Sequence, residues 1–79
     1  MLHMKKNELS PLQRLGQTIE LHELAMEFRR TGNVNIKRWS PEAASGLGMT
    51  LNRLAVVDMG AAKAYAKKSA DWALKSLGE

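Results

Sequence analysis

The chain has 79 residues, of which 44% are hydrophobic and 25% charged, with a formal charge of +4 and no cysteine. A chain of this length buries only about 60% of the surface its unfolded form exposes, so it makes one small domain with a thin core of its own. The balance excludes a disordered tail and a membrane protein, because no apolar run reaches the roughly 18 residues that a spanning helix needs.

The absence of cysteine removes a disulfide scaffold, a thiolate metal site and a cysteine nucleophile. Only two histidines, His3 and His22, remain for imidazole chemistry. No enzyme, metal, cofactor or small-molecule substrate is expected. The N-terminus has no hydrophobic core of the signal-peptide kind, and the expected location is the cytoplasm. Residues 1–9 read as a flexible arm, in which Met1-Leu2-His3 looks like an expression-vector remnant before a start at Met4. Residues 10–79 read as a single helical domain.

Ser10-Pro11 starts the first helix: the serine side chain caps free amides, proline needs no amide there, and Gln13 completes a capping box. Arg29 and Arg30 place positive charge at the negative end of the dipole and Thr31-Gly32 supplies a left-handed stop, so the helix is expected over Pro11–Thr31. At 100° per residue it carries apolar stripes on two opposite sides. Leu12, Leu15, Ile19 and Met26 form one, with His22 beside it, and Leu21, Leu24 and Phe28 form the other. Such a helix in so small a chain is expected to meet its own long helix on one side and another molecule on the other. Leu21, Leu24 and Phe28 are the candidate contacts for a homodimer or a protein partner. The alternative is that the N-terminal arm and the segment from Val34 to Trp39 cover them. Glu20, Glu23 and Glu27 make an acidic ridge that would assist if the target is basic.

Asn33 to Trp39 alternates polar and apolar residues and reads as a short extended connection or a loop. The charge is concentrated from here on: residues 1–28 hold three basic against four acidic side chains, whereas residues 29–79 hold nine against four. Arg29, Arg30, Lys37 and Arg38 form the densest positive patch, with Trp39 following it. The run from Asn33 to Glu42 resembles the strand and the start of the first helix in ribbon–helix–helix repressors, and Gly48-Met49-Thr50 is similar to the turn into that family's second helix. The resemblance covers a small part of the chain. It implies strands paired across a dimer, with Asn35, Lys37 and Trp39 on the groove-facing side. The sequence departs from the family because Pro41–Gly46 is too short for its first helix and a long helix precedes the strand. Arg29, Arg30, Asn35, Lys37 and Arg38 are thus the candidate contacts for an alternative function, DNA-binding transcriptional regulation. Equally, Trp39 could simply close the core.

Ser40-Pro41-Glu42 repeats the start signal, and the glycines at Gly46 and Gly48, each costing about 1 kcal/mol in a helix, predict a break or kink. Thr50 is expected to recap a long alanine-rich helix over Leu51–Leu77, with Gly60 inside it. Its uncharged stripe runs through Leu51, Ala55, Met59, Ala62, Ala66, Ser69 and Ala73, flanked by Leu47, Leu54, Tyr65 and Trp72, with Asp58 the one charge in the arc, expected to pair with a basic side chain or a backbone amide. The opposite face is a ridge of Arg53, Lys63, Lys67, Lys68 and Lys75, read as solvated and lacking interleaved aromatics. The sequence thus predicts an all-α, hairpin-like domain of two main helices joined by a short extended connection, and dimeric. The expected function is that of a small non-enzymatic regulatory protein of the inhibitor, antirepressor or adaptor kind, which binds another protein through an apolar helix face.

Overall fold

The structure is a computed structural model that describes residues 10–78, and the expected N-terminal arm, residues 1–9, lies outside the described residues. Helices account for all the regular structure: α1 (Pro11–Thr31), a 3₁₀ turn (Ile36–Arg38), α2 (Pro41–Ala43), a π-helical turn (Ala44–Gly48), α3 (Met49–Val57) and α4 (Met59–Leu77). The all-α class follows the sequence reading, while the connections differ from it.

The ends of α1 form as the residue pattern requires. The Gln13 amide donates to Ser10 Oγ at 3.2 Å, and the Ser10 amide donates to Gln13 Oε1 at 3.0 Å, which closes a capping box. At the other end Gly32 adopts φ 75°, a left-handed conformation that favours glycine, and its amide donates to the Phe28 carbonyl at 2.7 Å.

The expected extended connection is instead a 3₁₀ turn. Asn35 Oδ1 accepts from the Lys37 amide at 3.2 Å, a local bond that curls the backbone and competes with an extended conformation. No strand occurs among the described residues, so the likeness to ribbon–helix–helix repressors does not extend to the backbone. The strict alternation fails with it: Val34 is buried, Ile36 is exposed, and Trp39 is half-buried against the core. Arg38 lies over the Trp39 ring, 5.2 Å from its centroid.

At Gly46 and Gly48, where a break or kink is expected, the helix is distorted without being interrupted. The chain stays helical there by widening into the π turn, and Thr50 does not recap; its hydroxyl donates back to the Gly46 carbonyl at 3.0 Å. Gly48 has a packing reason, since a Cβ there would stand 3.2 Å from Val34 Cγ1. The long helix breaks further on instead, at Asp58, after the nine residues of α3. This residue is extended, with φ −158°, and its Oδ1 accepts from the Ala61 amide at 3.1 Å. Asp58 thus serves as the N-cap of α4 through a backbone amide.

That corner folds α4 back on α3 and α1. Met59 at the start of α4 lies beside Gly32 at the end of α1, and Tyr65 to Trp72 lie beside Leu21, so α1 and α4 run antiparallel. The seam on α4 is made of Ala62, Ala66, Ala70 and Ala73, all buried, which permits a close helix approach. Against it pack Leu24, Ala25 and Phe28 of α1 and Leu51 of α3. Phe28, Leu24 and Leu51 are the largest fully buried side chains, and seven alanines supply most of the remaining core.

Candidate protein-binding surfaces

The two stripes of α1 take opposite roles, and the roles are reversed from expectation. Leu24 and Phe28 are 0% exposed and belong to the chain's own core, and Leu21 packs on the edge of that core. Leu24 and Phe28 therefore cannot offer a free contact face, whereas Leu21 keeps part of its surface open. The reversal has a physical cause: a phenylalanine and two leucines in the second half of α1 fill the space that the small alanine seam leaves, whereas the other stripe spreads along the whole helix.

The outward stripe is therefore Leu12, Leu15, Ile19 and Met26, exposed by 78%, 45%, 42% and 43%. On helical spacing these four project from one side, opposite the core-facing residues. Half-buried His22 lies beside them, and Arg29 reaches back to Met26 Sδ at 3.8 Å.

The acidic ridge is largely engaged within the chain. Glu20 accepts from the Ser40 amide and the Ser40 hydroxyl, both at 2.7 Å, and so holds the start of α2 against α1. Ser40 Oγ in turn caps α2 by accepting from the Ala43 amide. Glu27 accepts a short hydrogen bond from Arg38 and lies 3.9 Å from Arg30. Two of the three carboxylates thus staple the connecting segment to α1, which leaves Glu23 as the ridge's exposed member for the assistance expected if the target is basic.

The candidate DNA contacts are brought to one end of the molecule without forming a reading element. Arg29, Arg30, Asn35 and Lys37 are exposed, while Arg38 is committed to Glu27 and to the Trp39 face. The Asn35 side-chain oxygen is used in its own turn.

A second surface was not legible as a site in the sequence. Leu21, Leu47, Tyr65, Lys68, Ser69 and Trp72 line an open groove of about 330 Å³ between α1, the π turn and α4. Tyr65 and Trp72 are 44% and 57% exposed, so they rim the groove without filling the core. The signal available was the spacing Tyr65, Lys68, Trp72, Lys75, which interleaves aromatic and basic side chains along one face of α4; reading the aromatics as flanks of the core obscured it.

Among the described residues no three His, Cys, Asp or Glu side chains gather as metal ligands, and no helix is long and apolar enough to cross a membrane. Compared with family models, curated proteins and solved structures, the chain matches none of them, so the functional reading rests on its own geometry.

Proposed function

We propose that the chain is a small non-enzymatic regulatory protein that acts by binding other proteins, as an inhibitor, antirepressor or adaptor does, and that it self-associates through the outer face of α1. The supporting observation is the distribution of its large apolar side chains. Three are fully buried, whereas Leu12, Leu15, Ile19 and Met26 stand exposed in one stripe along α1. Fully burying such a side chain contributes roughly 1.5–3 kcal/mol, so covering the stripe against a second helix supplies stability that the thin alanine core does not. The occupant assigned to this stripe is a second copy of the chain.

Sedimentation equilibrium of the purified chain beside the variant Ile19→Asp tests this reading. The expected result is a dimer that becomes a monomer in the variant, with the helical circular dichroism retained because Ile19 lies outside the core. A wild-type monomer at all concentrations would refute self-association through α1.

The second reading, a DNA-binding regulator, is favoured by one observation: Arg29, Arg30 and Lys37 are exposed around the junction of α1 and the 3₁₀ turn. It requires duplex binding that weakens steeply between about 50 and 200 mM salt, because each neutralised phosphate releases counterions. Fluorescence anisotropy of labelled duplex DNA over that range distinguishes it, and flat curves leave the charge as a solvated surface.

A further inference from the structure

We infer that the groove between α1, the π turn and α4 is a docking site for an acidic amphipathic helix of a partner protein. The inference rests on the reading of the chain as a protein-binding module but uses a different surface from the self-association stripe.

The groove has the form that helix recognition uses. Its floor and walls are Leu21, Leu47, Tyr65 and Trp72, and its volume of about 330 Å³ accommodates one or two apolar side chains of an incoming helix. Two half-exposed aromatic rings one above the other on α4 are the residue type on which interface energy concentrates, since each offers a large rigid area at small entropic cost.

The charge around the groove selects the sign of the partner. Lys68 lines it directly, between Tyr65 and Trp72, and Lys75 follows one turn beyond Trp72 on the same side of α4. Arg14 lies two turns before Leu21 on the same side of α1, and the antiparallel arrangement brings that end of α1 alongside the end of α4 that carries Lys75. Asp71, three residues after Lys68 and four before Lys75, neighbours both cations at the outer edge of the strip and offsets one of them, so with Arg14 the margin stays net positive. An apolar trough bordered by cations fits a helix with apolar anchors on one face and carboxylates along its flanks, and it repels one flanked by lysines.

A single-stranded nucleic acid is the competing occupant for aromatic and basic side chains in alternation. The protein partner is favoured because the rings border a concave apolar space that also includes Leu21 and Leu47. Base stacking needs flat open rings and a basic track, and leaves such a trough unfilled.

The test is fluorescence anisotropy on the intact chain with three labelled probes: an amphipathic peptide with Leu and Phe on one face and Glu on the flanks, the same peptide with Lys replacing Glu, and an oligothymidylate. The expected result is binding of the acidic peptide, weakened about tenfold or more by Trp72→Ala and by the double variant Lys68→Glu with Lys75→Glu, the latter now preferring the lysine peptide. All three positions are exposed on α4, so circular dichroism should be unchanged. Equal affinity for both peptides, indifference to these substitutions, or preferential binding of the oligothymidylate overturns the proposal. So does a dimer that dissociates on Trp72→Ala, because a second copy would then occupy the groove. Absence of peptide binding in a chain whose self-association still responds to Ile19→Asp sinks the groove while leaving the proposed function standing.

Discussion

Glu20 illustrates how a single side chain can change meaning between a sequence and a fold. As one of three glutamates at helical spacing it belongs to a solvated ridge, but its two oxygens accept both bonds that Ser40 can donate, at 2.7 Å each. Replacing it by alanine leaves the Ser40 amide without its acceptor and loosens the start of α2. Glu20→Ala should cost about 1–3 kcal/mol, seen as a lower midpoint in thermal circular dichroism. Glu23→Ala, at the exposed position of the same ridge, should stay within about 0.5 kcal/mol of the parent. Equal losses at the two positions would show that the clamp contributes nothing. The caps at Ser10, Gln13 and Gly32 were legible because each bond is made within a few residues. The partner of Glu20 is twenty residues away, and no periodicity reports it.

At the scale of elements, the same distinction between local and distant causes explains which boundaries could be read. Both bounds of α1 follow from its capping signals, whereas the path from Ser40 to Leu77 follows its residue signals only in part. Two glycines point to a break or kink, and the stretch is distorted into a π turn yet stays helical, with Ala44 and Gly48 buried and Gly48 close against Val34 and Leu24. An uninterrupted run of helix formers suggested continuity, yet Asp58 ends α3 and starts α4. A local signal for the second was present, since aspartate is a strong N-cap, but the alanine periodicity on both sides concealed it. Asp58→Ala removes the oxygen that receives the Ala61 amide and should lower stability by about 1 kcal/mol, measured by urea unfolding followed by circular dichroism. No change in the midpoint would mean that packing alone sets the corner.

For the whole molecule, the division of apolar residues between inside and outside decides how mutations sort. The sequence revealed that α1 is apolar on two sides, but not which side faces in, because that depends on where α4 and its alanine seam settle after the turn at Asp58. It likewise held the aromatic and basic spacing of α4 without the trough that Leu21 and Leu47 complete. With so few large buried groups, removal of one is severe: Phe28→Ala should cost about 3–5 kcal/mol, a large share of the stability of a domain this small. The variant is expected to lose its cooperative thermal transition, while Leu15→Asp on the outward stripe keeps it. A folded Phe28→Ala chain with an unchanged transition would place the core elsewhere.

The antiparallel seating of α1 on α4 also orders events in time. Individual helices form and melt within about a microsecond, but α1 reaches α4 only after the stretch 32–58 has bent round to bring them together. Each doubling of such a loop adds only about 0.6 kcal/mol of closure entropy, so the wait is short in energy though distant in sequence. During it, Leu24 and Phe28 face water together with the stripe on the other side of the same helix. Newly made chains therefore pass through a state in which α1 is adhesive all round, and concentrated refolding is where they would meet one another before they have closed on themselves.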